Sequence, residues 1–236
     1  MWNFIQQRQL AKQLDELAPC PLPQRLDLGN ARRVVVFAPH PDDETLGCGG
    51  TLAQLAPQCE VTAVLVTDGA GAGSLPVGAD VVRQAEFERA LRCLGVTQTK
   101  LLQQPDGAFH AHPTLRAQLH EWLSTYKPDW VFLPSPLDYH RDHVRSAAFL
   151  APLCRSIASV QKLLFYEIWA PIPATHVVDI TAQWPLKYQA LQQHATAMAC
   201  GDYVRAIDGL NRYRALYLGQ PERWAEAFWV EDTRMQ

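Results

Sequence analysis

Little in this chain points to a partner of opposite charge or to a lipid bilayer. Its 236 residues carry 21 basic against 24 acidic side chains, a formal net charge of −3. Charged residues are only 19% and of mixed sign, which excludes a disordered acidic or basic protein and leaves no field to hold nucleic acid. No apolar run reaches the roughly 18 residues of a spanning helix, so no membrane span is expected. The opening Met1 to Leu10 lacks a basic stretch leading into an apolar one, so no signal peptide is expected. Cysteine is dilute: Cys20, Cys48, Cys59, Cys93, Cys154 and Cys200 form no C-x-x-C pair, against a zinc ribbon or redox motif. Such cysteines are expected as reduced, partly buried thiols of a cytoplasmic protein. Repeats, low-complexity tracts and an obvious linker are missing as well. G-x-S-x-G is absent, which weakens a serine-nucleophile reading, and Cys48 has no catalytic motif around it.

What is present is apolar material, 48% of residues, enough for a sizeable core. The length fits one large domain or two small ones, and residues 1–236 are read as a single α/β domain. A short leading helix is expected over residues 4–16, broken by Pro21 and Pro23. Val34–Ala38, Val61–Val66 and Trp130–Leu133 are β-branched and aromatic runs, suited to strands buried on both faces. Lys100–Gln103, Leu163–Tyr166 and Val177–Val178 read as further strands. Helices are expected from about Asp43 through Leu55, over 80–94 with Gly95 as its terminating glycine, over Leu115–Tyr126 and over 141–151. Residues 182–219 read as mostly helical. Strands alternating with helices imply a mostly parallel sheet covered on both faces.

Ligands of such sheets bind beyond the carboxyl ends of the strands. The loops there hold His40-Pro41-Asp42-Asp43-Glu44, Thr67-Asp68-Gly69, Asp106-Gly107 and Asp138-Tyr139-His140-Arg141-Asp142-His143. Acidic residues at a helix start can simply complement its dipole, which accounts for Glu44 but poorly for His40 between two prolines. The i, i+3 pair His140 and His143 can face one way on a helix start. One imidazole from that pair, with His40 and one aspartate, makes a three-donor N/O set suited to zinc with an open position for water. A spare carboxylate can serve as general base and a spare imidazole can stabilise an oxyanion. These are the parts of a metal-assisted amide or ester hydrolase. Gly47-Cys48-Gly49-Gly50-Thr51 follows the acidic cluster without a G-x-G-x-x-G pattern, so close helix–sheet packing is preferred over dinucleotide binding.

Pro39-His40-Pro41-Asp42-Asp43-Glu44, then Leu46-Gly47 and Gly49-Gly50-Thr51, resemble the signature of the PIG-L/LmbE-like deacetylases. Arg83-x-x-Glu86, Leu94-Gly95-Val96, Asp106-Gly107, His140-x-x-His143 and Ala225–Phe228 extend the resemblance over about residues 33–229. It implies a Rossmann-like fold, with a C-terminal helical and strand elaboration, and a Zn2+-dependent removal of acetyl from N-acetylglucosamine units. Carried over by position, it implies zinc ligands His40, Asp43 and His143, with Asp42 as general base and later acid. His140 would stabilise the oxyanion as imidazolium. Arg83 and Asp106 would contact the sugar, and Asp142 would orient a histidine. Arg83 paired with Glu86 on the helix surface is the alternative for that residue. Arg141 stands where the family often has proline and puts a cation at the rim. The Gly69–Gly78 loop reads as a mobile lid or a plain surface loop. The partner expected is a small amino-sugar or glycoconjugate substrate, with homo-oligomerisation left open. An amidase on a larger acyl or cysteinyl sugar conjugate, and a non-catalytic carbohydrate- or metal-binding module, are the competing readings. Trp169, Trp184 and Trp229 are unranked candidates for stacking on a sugar.

Overall fold

A computed structural model describes residues 21–71, 75–76, 78–219 and 223–235. The helix expected over 4–16 lies outside the described residues, as does part of the Gly69–Gly78 loop. In chain order the elements are β1 (Gln24–Arg25), β2 (Arg33–Ala38), α1 (Asp43–Leu55), β3 (Glu60–Thr67), α2 (Ala79–Cys93), β4 (Gln98–Gln104), α3 (Pro113–Tyr126) and β5 (Trp130–Pro134). There follow α4 (Arg141–Arg155), β6 (Lys162–Tyr166), β7 (His176–Asp179), α5 (Trp184–Leu191), α6 (Ala195–Met198), α7 (Tyr203–Ala215) and β8 (Ala225–Asp232).

The eight strands form one sheet in the order β1-β7-β8-β6-β5-β2-β3-β4. Every pairing is parallel except those of β8, which runs antiparallel between β6 and β7. Alternation along β2 explains the layers. Val34, Val36 and Ala38 face a core shared with α1 and α2, while Val35 and Phe37 face a second core shared with α3 and α4. β8 completes the C-terminal elaboration, yet its strand character was not read from the residues. Ala225, Glu226, Ala227 and Phe228 are all buried, so no polar alternation marks it, and a buried glutamate conceals an interior strand.

The chain leaves β2 for β3 on one side, then crosses from β4 back to β5 on the other. β2 and β5 are therefore sheet neighbours, paired Val34↔Trp130 to Val36↔Phe132. The crevice outside their carboxyl ends is the topological switch point, where such sheets bind ligands. The loops after these two strands are the two that carry His40 and His143.

Helix α1 bends at Cys48, whose φ of −144° and ψ of 16° are not helical. The groups this bend frees find partners in the C-terminal elaboration. Glu226 accepts from the backbone N–H of Gly50 (2.8 Å) and Thr51 (2.7 Å), and Lys187 donates to the carbonyl of Leu46 (2.8 Å). Lys187 and Glu226 pair with each other at 2.6 Å, both fully buried. The glycines of α1 follow the packing reading: a methyl on Gly47 would overlap the Tyr166 ring, and one on Gly50 would meet Ile180. Cys48, Cys59, Cys93, Cys154 and Cys200 are all free thiols. Among the described residues, no helix is long and apolar enough to cross a membrane.

Candidate active site

The turn after β2 is shaped by its own backbone. The His40 N–H donates to Asp43 Oδ2 at 2.8 Å, and both backbone N–H and hydroxyl of Thr67 donate to the Pro39 carbonyl. Asp42 takes φ 152° and ψ −24°, a conformation that strains a residue with a side chain. Such strain costs on the order of 1–3 kcal/mol and persists where the surroundings over-determine it. Here it turns Asp42 into the crevice while Asp43 opens the helix behind it.

Three donor atoms converge at the switch point. His40 Nδ1 and His143 Nε2 lie 3.1 Å apart, and Asp43 Oδ2 lies 3.2 Å from each. Two ring nitrogens facing at that distance either share one N–H as a hydrogen bond or take a cation between them. Tetrahedral zinc, with ligand bonds of about 2.0–2.2 Å, wants its donors roughly 3.3 Å apart. The triangle has that size and donor chemistry, so the residues fit a divalent ion of the zinc type.

The outer face of each imidazole is held by carboxylates. His40 Nε2 is 3.1 Å from Asp106 Oδ1 and 3.4 Å from Asp142 Oδ2. His143 Nδ1 is 3.1 Å from Asp138 Oδ1, close but poorly aligned for a hydrogen bond. Carboxylates behind ligating histidines fix the ring and raise its basicity. His40, Asp106 and Asp142 by themselves could also be grouped around an ion, as could His40, His140 and His143. The first of these groups is the back of the same imidazole, where a ring N–H meets acceptors, so the Nδ1 side is the better cation site.

The electrostatics agree. Burial works to lower His40, but hydrogen bonds to Asp106, Asp142 and Asp43 hold it well above the ordinary imidazole range. His143, also opposed by burial, is raised to about 9, chiefly by Asp43 and Asp138. Asp43 stays ionised far below the usual carboxylate range despite its burial, because His143 and His40 face it. The surrounding carboxylates thus favour positive charge on the two imidazoles. Asp42 is the contrast: burial and the charge of Asp43 push it up to about 7, with Arg83 opposing. A carboxylate poised there matches a general base near neutral pH.

His140 caps α4 by accepting from the Asp142 N–H at 3.2 Å through Nδ1. That bond leaves the neutral ring's proton on Nε2. Burial, then His40 and His143, push its pKa down, so the neutral ring is favoured where the resemblance implied imidazolium. Arg83 is buried. Its Nη1 donates to the Gly69 carbonyl at 2.7 Å and lies 3.6 Å from Asp106, and its Nη2 lies 3.8 Å from Asp42. The surface pair with Glu86 does not form: Glu86 is buried and accepts from the backbone N–H and hydroxyl of Thr196, each at 3.0 Å. Asp106 spends one oxygen on His40 and the other on the Gly71 N–H at 3.0 Å.

A cavity of about 330 Å³ opens over the triangle, with Asp42, Arg83, Asp106 and His140 in its lining. That is the low end for small-molecule pockets, about 300–1,000 Å³. Of the three tryptophans singled out, only Trp169 lines it; Trp184 stacks on Trp224 and Trp229 packs on Phe165. Gly71 and Leu75, from the described part of the proposed lid, also border it.

Sequence reasoning missed two residues that hold the surround of the site in place. Asp138 accepts from the backbone N–H of both His140 (2.8 Å) and Trp169 (3.0 Å), joining the loop that carries His143 to the pocket wall. Its place in the same loop as His143 was the available signal. His194 meets Thr45 at 3.1 Å from far along the chain, with no local signal at all.

A family model described as PIG-L, GlcNAc-PI de-N-acetylase, matches residues 35–153. Among curated proteins, a probable N-acetyl-alpha-D-glucosaminyl L-malate deacetylase 2 of Bacillus anthracis is 28% identical over 72% of this chain and 83% of its own length. Diacetylchitobiose deacetylase of Thermococcus kodakarensis is 28% identical over 84% of this chain and 82% of its own. The solved structure of N,N'-diacetylchitobiose deacetylase from Pyrococcus horikoshii superposes with a TM-score of 0.76 at 23% identity, over 100% of this chain and 95% of that one, a likeness of fold.

Proposed function

The chain belongs to the PIG-L family, and on that footing we propose that it is a zinc-dependent hydrolase that removes acetyl from an N-acetylated amino sugar or its conjugate. The observation that carries the reading is the triangle of His40 Nδ1, Asp43 Oδ2 and His143 Nε2 with the near-neutral Asp42 beside it in one cavity. Curated relatives named as deacetylases of two N-acetylated sugar compounds support the reaction type.

His40, Asp43 and His143 would hold the zinc. Bound there, the ion supplies Lewis acidity toward a carbonyl oxygen and lowers the pKa of water. Asp42 takes the proton of the attacking water and returns it to the nitrogen as the C–N bond breaks, leaving acetate and a free amine. A pKa of about 7 lets one carboxylate do both. His140 offers its Nε2–H to the oxygen that gains charge, with Nδ1 pinned by the Asp142 backbone. Arg83 and Asp106, which line the same cavity, contact the sugar, and Asp142 and Asp138 orient the two ligating imidazoles.

The test is acetate release from N-acetylglucosamine and its conjugates, with and without chelator. Release that stops with chelator and returns with zinc supports the proposal. A protein that binds zinc stoichiometrically yet releases no acetate from any of these substrates would overturn the reaction.

A further inference from the structure

The cavity is lined by both polar and apolar side chains. Its apolar wall is Leu46, Leu75, Trp169, Ala197, Cys200 and Tyr203. Four of these lie beyond residue 153, where the family match ends. Trp169 and Tyr203 meet edge to face, ring centres 5.3 Å apart at 76°. Trp169 is 47% exposed, an open aromatic surface at the mouth of the cavity. The wall is also held in place. Glu86 clamps Thr196 by two hydrogen bonds, His194 ties to Thr45, and the Trp169 backbone is bonded to Asp138.

Among the described residues, no lysine lines this cavity, and Arg83 is its one arginine. Arg83 is already engaged by the Gly69 carbonyl and flanked by Asp42 and Asp106. Arg141 is exposed at the start of α4 and does not line the cavity. Away from the metal triangle, a carboxylate or phosphate on the substrate would meet Asp42 and Asp106 and, among the described lining residues, no lysine and no arginine but Arg83, and desolvating it unpaired is unfavourable. A neutral ring finds aromatic faces, which pack flat, partly apolar groups while leaving polar edges wet.

Resting on the deacetylase reading above, we propose that the wall of Trp169 and Tyr203 selects N-acetylated amino sugars whose anomeric carbon carries a neutral ring, a second sugar or an aryl group, over conjugates bearing carboxylate or phosphate there. The relatives named for a malate conjugate and for diacetylchitobiose fall on opposite sides of this division, and their equal identity to this chain does not choose between them.

The experiment measures binding of four ligands to zinc-loaded Asp42→Asn protein by calorimetry, and kcat/KM for the same four with the unaltered enzyme. They are diacetylchitobiose, the p-nitrophenyl glycoside of N-acetylglucosamine, N-acetylglucosamine itself and its anomeric phosphate. The two neutral ring-bearing ligands are expected to bind at least about tenfold tighter than the phosphate, about 1.4 kcal/mol. Trp169→Ala should erase most of their advantage over the monosaccharide, and Cys200→Arg, a change at an exposed wall position, should shift the order towards the phosphate. Phosphate binding as tightly as the neutral pair overturns the proposal, as does a Trp169→Ala protein that weakens all four alike. If the binding order holds but no acetate appears from any ligand, the wall's selectivity stands and the deacetylase reading fails.

Discussion

The segment from residue 35 to 153 and the segment beyond it contribute to one cavity in different ways. The first supplies every group proposed for the chemistry, from His40 to His143, and packs them so closely that their ionisation is shared. The second supplies Trp169, Thr196, Ala197, Cys200 and Tyr203 along one wall, and the Lys187–Glu226 pair that closes the bend of α1. The groups proposed for the reaction thus lie in the first segment, and most of the aromatic wall proposed for substrate choice lies in the second. A dense polar cluster tolerates little change, because each charge sets its neighbours' protonation. An aromatic wall can be redrawn as long as the helices under it stay packed.

The sharpest break in this division comes from the first segment. His143→Ala should remove metal and reduce acetate release below detection, and dialysis against chelator should do the same to the unaltered enzyme; metal analysis beside the assay checks both. Asp42→Asn should keep its metal and lose about 10²- to 10⁴-fold in kcat, the span of general acid–base catalysis. Full metal with near-normal kcat would remove Asp42 from the mechanism. In the second segment, Lys187→Met strands a buried glutamate and should destabilise by about 3–5 kcal/mol. Denaturant unfolding measures it, and a loss under 1 kcal/mol, about the worth of an exposed pair, would contradict the burial argument.

Two smaller effects sharpen the contrast. In the metal-free protein His143 is raised from 6.5 to about 9, so its stabilisation is fully present below 6.5 and fades as pH climbs through 9. Seated zinc must displace those protons, so the rise in Tm on adding zinc should widen from pH 6.5 towards 9. A rise that stays flat or shrinks would count against these ligands. Glu86→Gln weakens the clamp on Thr196 by about 1 kcal/mol and should raise KM several-fold while kcat holds. An equal fall in kcat would move Glu86 out of the wall and into the chemistry.

The central strands were legible because both of their faces are buried, and uninterrupted Val and Phe runs say so directly. The first histidine motif was legible because its two proposed ligands are neighbours in sequence, His40 and Asp43 lying three apart. Arg83 was ambiguous for the opposite reason. A helical arginine three residues from a glutamate reads equally well as a surface pair, and only packing sends Arg83 to Gly69 and Glu86 to Thr196. β8 was hidden by Glu226, whose charge is satisfied by Lys187 and by backbone N–H groups of α1, all remote in sequence.

The alternating architecture and both histidine-bearing loops could be read from the residues alone, because strand burial and the close spacing of His40 with Asp43 and of His140 with His143 are written in nearby residues. The tertiary structure alone decided which tryptophan faces the cavity, which carboxylate stands behind which imidazole, and that Asp42 rises towards 7 while its neighbour Asp43 falls. Those outcomes depend on distances of 3–4 Å between side chains up to about a hundred residues apart, and burial at that range, more than residue type, sets the balance between desolvation and charge.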